Sequence, residues 1–176
     1  MKRREFLMSV AAAPLAASSD ATTPKLGVDL FSIRSSGWSA FEYLDYCARL
    51  GVQLVHFWET RFLGSLEDDH VRKVAEHARR LGIELEIGMG SICPSSKRFN
   101  PKDGPAEEQL ARAIRAARLA GSKIVRAYLG SLDDRRGSIP IEGHIENTVK
   151  VLKAVRSRAI DAGIQIAVEN HAGDMQ

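Results

Sequence analysis

The stretch Ile164-Gln-Ile-Ala-Val-Glu-Asn-His-Ala-Gly-Asp174 decides how the rest of the chain is read. With the period of two that a strand imposes, Ile164, Ile166 and Val168 point one way, and Gln165, Ala167, Glu169 and His171 the other. One face is an apolar layer for helices to cover. The opposite face carries a carboxylate and an imidazole side by side, followed by the small-residue turn Ala172-Gly173. An acid placed where a strand runs into its loop is where an α/β barrel keeps its chemistry.

Working back from that strand, short apolar runs alternate with longer helical patterns. The runs Leu26 to Ile33, Val52 to Trp58, Ile83 to Gly88 and Lys123 to Leu129 read as strands. Between them lie helices from about Ser39 to Leu50, from near Ser65 to Leu81, from Pro105 to Ala120 and from about Ile141 to Ala162. Ser65 followed by Asp68 reads as an acidic variant of the capping box. Each helix stops at a glycine, the residue freest to take the left-handed cap. These are Gly51, Gly82, Gly121 and Gly163, spaced 31, 39 and 42 residues apart. That rhythm is one of repeated βα units and hence of parallel strands.

A doubly wound open sheet and a (β/α)8 barrel both satisfy it, and strand polarity separates them. In a doubly wound sheet helices cover both faces, so central strands read as continuous apolar runs. Here Asp29, His56, Glu86 and Arg126 each sit between apolar neighbours, and Glu169 alternates with Val168. A barrel interior lined by functional groups accounts for this. The fold class is therefore α/β, a (β/α)8 barrel present as its N-terminal part of about five strands and four helices. A truncated sequence explains the incompleteness. The alternative is a genuine half-barrel that assembles with another copy or chain, which leaves a homo-oligomer open.

At Val168-Glu-Asn-His-Ala-Gly-Asp174 a family likeness becomes visible. The segment resembles the fifth strand of sugar phosphate isomerases/epimerases of the xylose-isomerase-like TIM-barrel superfamily, and the likeness runs from about Lys25 to the last residue. It implies that Glu169 ligates a divalent metal (Mn, Mg, Zn or Co) and works in proton transfer on a small sugar-like substrate. The other ligands, an Asp, a His and a second Glu, are expected from later strands. His56 stands where family members often show a Glu, yet an imidazole can still hydrogen-bond a hydroxyl.

The remaining candidates keep two readings each. Glu169 by position alone is equally a lining carboxylate paired with Arg126. Arg126 suits an anionic substrate group through its bidentate fork, or serves as internal partner of Glu86 or Glu169. His171 contacts substrate or orients the ligand, or is a plain loop histidine. Trp58 stacks on a sugar ring or caps the rim. Asp133-Asp134-Arg135-Arg136 reads as a solvated loop, and Gly88-Met-Gly90 is too weak a pattern for a phosphate cradle. No nucleophile elbow and no zinc-finger spacing is present.

The 176 residues, 44% hydrophobic, suffice for one domain with a core. Of the formal net charge of +3, Lys2, Arg3, Arg4 and Glu5 account for +2. The remainder argues for no nucleic-acid partner and no membrane surface. Two cysteines make no disulfide framework. Cys47 reads as core filler and Cys93 as the exposed end of a strand. Residues 1–24 have a basic start, a modest apolar run and a polar linker, the pattern of a signal peptide too short for stable membrane insertion. Arg3-Arg4-Glu5-Phe6-Leu7 resembles the twin-arginine signal core, implying the twin-arginine export machinery as a partner and a periplasmic or otherwise exported protein. The functional expectation is a metal-dependent isomerase or epimerase acting through an enediolate. Against it stands a non-catalytic carbohydrate-binding protein or an inactive truncated barrel.

Overall fold

The computed structural model describes residues 24–171. The expected leader and linker over residues 1–24 therefore lie, apart from Pro24, outside the described residues, as do residues 172–176.

Five strands, β1 (Gly27–Asp29), β2 (Leu54–Phe57), β3 (Glu84–Ser91), β4 (Ile124–Tyr128) and β5 (Gln165–Glu169), form one sheet. They run in the order β1-β2-β3-β4-β5, every neighbouring pair parallel. Four helices, α1 (Ala40–Arg49), α2 (Asp68–Arg80), α3 (Ala106–Ala120) and α4 (Ile141–Ala162), fill the crossovers. Strand order equal to chain order is what a barrel requires, since a doubly wound sheet reverses direction at a switch point. The helices pack in sequence as well, α1 on α2, α2 on α3 and α3 on α4. The described residues form the first part of a (β/α)8 barrel.

Alternation within the strands builds the core. Val55 and Phe57 of β2, Leu85 and Ile87 of β3, and Val125 and Ala127 of β4 are buried in one layer with Leu44, Val71, Val74, Leu110 and Val155 of the helices. Each large side chain so buried contributes about 1.5–3 kcal/mol. Cys47 is wholly buried in that layer, and burial pushes its thiol up. The four glycines that end the helices lie at φ between +67° and +74°, where a side chain would be strained. On β5 the alternation persists. Ile164 is buried and Ile166 packs on the core, while Val168, with no helix of the described residues over it, is 47% exposed.

Three boundaries differ from expectation, the first two through a side chain's choice of partner. The first strand stops at Asp29 because its carboxylate accepts the N–H of Phe31 at 2.8 Å, turning residues Leu30–Ser36 into a 3-10 segment. Helix α2 begins at Asp68 rather than near Ser65. The Ser65 hydroxyl accepts the N–H of Glu67 in a local turn (3.1 Å). Asp68, instead of closing a capping box, pairs with Arg115 of α3 at 2.6 Å. A capping box is found instead on α1, where Ser39 and Glu42 exchange hydrogen bonds. Finally β3 runs on to Ser91, with its register against β4 shifting between Gly88 and Ser91.

Candidate functional site

Of the five polar strand positions, the structure sorts four into two groups, while Asp29 turns to the N–H of Phe31. The upper group gathers at the C-terminal ends of β4 and β5. Arg126 donates through both Nε and Nη2 to Oε2 of Glu169. The other carboxylate oxygen, Oε1, meets Nδ1 of His171 at 2.9 Å. The parallel register explains the reach: Arg126 lies level with Ala167, so a long side chain is needed to climb to Glu169, which is level with Tyr128. Tyr128 completes the group, its ring stacked on His171 with centroids 4.9 Å apart and Arg126 lying 5.4 Å from its centre. Burial works to raise the Glu169 carboxyl. The hydrogen bond from His171 and the charge of Arg126 outweigh it and hold the group below the usual carboxylate range. Glu169 is therefore ionised at neutral pH.

The second group is His56 with Glu86, one strand pair away. Nδ1 of His56 lies 3.4 Å from Oε2 of Glu86, and the two residues are in register on β2 and β3. Of the two internal partners open to Arg126, it takes Glu169, and Glu86 is left to His56. Gly88 makes that arrangement fit. A Cβ there would meet the carbonyl oxygen of Trp58 at 2.4 Å and Nε2 of His56 at 2.9 Å. Gly88 of the Gly88-Met89-Gly90 pattern thus serves close packing inside the sheet. Trp58 sits at the rim, its ring edge-on to Phe31 at 4.7 Å.

Three residues were misjudged or missed from the sequence. Asp134 is 6% exposed rather than solvated. Its carboxylate accepts from Ser96 Oγ (2.7 Å) and from the backbone N–H groups of Lys97 and Ser131 (2.8 Å each), joining the loops after β3 and β4. Burial raises this carboxyl, and those donors together bring it below its ordinary value. Cys93 is buried, not exposed, with its sulfur 3.3 Å from Ser95 Oγ and 3.6 Å from Nδ1 of His144 on α4. Glu59 lies beyond β2 with its side chain only 22% exposed. Burial pushes its carboxyl up, against the lowering effect of Arg61, whose Nε is 2.6 Å away. Ser131 and Asp134 form a local capping pattern, and Arg61 stands two residues from Glu59, whereas Ser96, Lys97 and His144 reach Asp134 and Cys93 from distant parts of the chain.

As a metal site the described residues are incomplete. Glu169 offers hard carboxylate oxygens and His171 lies beside it, but among the described residues no group of three His, Cys, Asp or Glu could hold an ion. Both oxygens of Glu169 are also engaged by Arg126 and His171. The fit is that of one ligand of a larger set, and tight binding needs further donors.

The chain resembles solved structures over most of its length. One is a protein of Sinorhizobium meliloti 1021, at 21% identity and a TM-score of 0.63 over 85% of this chain and 53% of that one. D-psicose 3-epimerase from Clostridium cellulolyticum H10, solved with D-tagatose, matches at 17% identity and a TM-score of 0.59, covering 81% and 51%. The IolI protein, solved with a zinc atom, matches at 17% identity and a TM-score of 0.63, covering 82% and 51%. The chain thus spans about half the length of these structures. No curated protein matches it. The family model described as xylose isomerase-like TIM barrel matches residues 44–175, from the middle of α1 past the Glu169 strand. By that match the chain belongs to the xylose isomerase-like TIM-barrel family.

Proposed function

We propose that the whole protein is an isomerase or epimerase of a sugar or sugar-like hydroxy-carbonyl compound, working with a divalent metal that Glu169 helps to hold. The observation that carries this reading is an ionised carboxylate at the C-terminal end of β5, braced on one oxygen by Arg126 and on the other by His171. In a βα barrel that end of a strand is where catalytic groups stand. The zinc atom in the IolI structure and the sugar in the D-psicose 3-epimerase structure belong to those proteins, and they support the same reading here.

When bound, the metal would polarise a carbonyl and its neighbouring hydroxyl. Glu169, ionised, is suited to accept a proton from the carbon beside a carbonyl. Arg126 holds that carboxylate from behind, and His171, fixed by Glu169 and the Tyr128 ring, is placed to hydrogen-bond a substrate hydroxyl. His56 presents a second imidazole deeper in the sheet. The Arg3-Arg4 start supports export of the finished protein as part of this reading. The second reading is a non-catalytic carbohydrate binder, in which Glu169 is the structural partner of Arg126.

Glu169→Gln in the full-length protein separates the two. It keeps size and shape but removes the charge that holds a cation. Loss of about one divalent ion per chain, with turnover down at least ~10²-fold, supports the enzyme. Unchanged metal content together with a lowered melting temperature would leave Glu169 a purely structural partner of Arg126.

A further inference from the structure

The segment after β2 carries Glu59 into the mouth of the barrel, on the side of the Arg126–Glu169 pair. The Trp58 carbonyl packs against Gly88, where an added Cβ would meet it at 2.4 Å. Gly88 is level with Arg126 on β4, and Arg126 with Ala167 on β5. Glu59, the next residue after Trp58, therefore enters at the height from which Arg126 climbs to Glu169. Met89 and Tyr128 link the two places, because with Glu59 they line one recess of about 700 Å³. The Met89 carbonyl accepts from Nη1 of Arg126 at 3.5 Å, and the Tyr128 ring stacks on the His171 that binds Glu169. The charge of Arg126 is accordingly felt at the Glu59 carboxyl.

Glu59 differs from a solvated surface acid. Its side chain is 22% exposed, and burial pushes its carboxyl up in spite of Arg61 and Arg126. The other displaced carboxyls among the described residues, Glu42, Asp68, Asp134 and Glu169, all lie below their ordinary values. Arg61 holds Glu59 from the solvent side. It is 67% exposed, its Nε lies 2.6 Å from Oε2, and its guanidinium rests over the Trp58 and Phe62 rings at 5.8 and 5.2 Å. Among the described residues the second oxygen, Oε1, takes no hydrogen bond.

We propose that Glu59 is a substrate-binding residue that sets specificity: its carboxyl takes the terminal hydroxyl of the sugar, at the end remote from the carbonyl that lies at Glu169. For what lies at Glu169 this rests on the isomerase reading. Strands β2 and β5 are three spacings apart, about 14 Å along the curved sheet. With both carboxyls reaching inward from facing sides of the mouth, a sugar chain of hexose length joins them. A carboxylate accepts from a hydroxyl, and in its protonated form its own O–H donates to the same oxygen, so the contact survives either state. Held by Arg61, the side chain has little freedom left to lose on binding. A ligand without that hydroxyl leaves a sheltered carboxyl unpaired, which is how such a contact discriminates.

Calorimetric titration of the full-length protein with D-fructose, 6-deoxy-D-fructose and 1-deoxy-D-fructose tests this. The quantity read is the ratio of the affinity for D-fructose to that for each deoxy sugar. For 6-deoxy-D-fructose, which lacks the remote hydroxyl, the ratio should fall roughly tenfold from the wild type to Glu59→Ala. For 1-deoxy-D-fructose, altered beside the carbonyl, it should stay the same. Glu59→Gln, matched in size, should lower the first ratio too and decides the matter where the alanine variant does not fold. A 6-deoxy ratio unchanged in the folded variants, a 1-deoxy ratio that falls equally, or a wild type that binds no D-fructose would overturn the assignment. If the 6-deoxy ratio is unchanged while D-fructose and metal are still bound, the isomerase reading stands without Glu59. If that ratio falls but the protein holds no metal, the Glu59 contact stands and the isomerase reading falls.

Discussion

Arg126 directs two of its nitrogens at a single oxygen of Glu169, Oε2, and leaves Oε1 to His171. The guanidinium is buried, its side chain 10% exposed, whereas the carboxylate keeps 37%. The pair is thus anchored at its cationic end and open at its anionic end. A substrate or metal arriving from the mouth of the barrel meets the carboxylate first.

Arg126→Met should lower stability by about 1–3 kcal/mol, less than a fully buried pair would, because water screens the part-exposed carboxylate. Glu169 should then titrate at a higher pH, readable by NMR. Metal held through Glu169 should bind at least as tightly, since Oε2 is released from its competitor. Weaker metal binding in this variant would mean that Arg126 positions the ligand rather than competing with it.

Asp134 ties two active-face loops together, and its removal should be felt well away from the loop tip. Asp134→Ala strands the donors of Ser96, Lys97 and Ser131 and should cost roughly 2–4 kcal/mol in a urea melt. The carboxyl sits below its ordinary value in the folded state. Its stabilisation is therefore fully present above the unfolded pKa of about 3.9 and is lost as pH falls through the lower folded value. The gap between the wild type and Asp134→Ala should accordingly narrow below about pH 4. A gap constant with pH would rule out the charge as its source.

Gly88→Ala tests the close approach inside the sheet. The added methyl meets the Trp58 carbonyl at 2.4 Å, a backbone atom that cannot swing aside, as well as His56. A loss of about 1–3 kcal/mol is expected, with a shift in the His56 ring signals. The same change at Gly90, where the nearest atom is the Tyr128 hydroxyl at 3.9 Å, should be milder by direct comparison of melting temperatures.

The proposed twin-arginine route is checked on the full-length protein in a bacterial host. Replacing Arg3 and Arg4 together by Lys should stop export while leaving the melting curve of the purified protein unchanged. Appearance of the mature form outside the cytoplasm at the wild-type level would defeat the proposal.

The order of elements, the parallel sheet and the barrel architecture were legible in the sequence, because each rests on local rules. Period-two alternation put Glu169 and Arg126 on one face and Val125 and Ile166 on the other. A glycine after each helix recorded a left-handed cap. What only the tertiary structure decided was partnership. Arg126 had two carboxylates within plausible reach, and strand register with the space left by Gly88 gave it Glu169 and gave Glu86 to His56. Asp134, Cys93 and Glu59 look like loop residues in a linear reading. Asp134 and Cys93 are buried by segments that arrive from elsewhere in the chain, Ser96 and Lys97 on Asp134 and His144 on Cys93, while Glu59 is half-buried beside Arg61. Desolvation and ion pairing are properties of neighbours in space, and sequence order carries them only where those neighbours are also close along the chain.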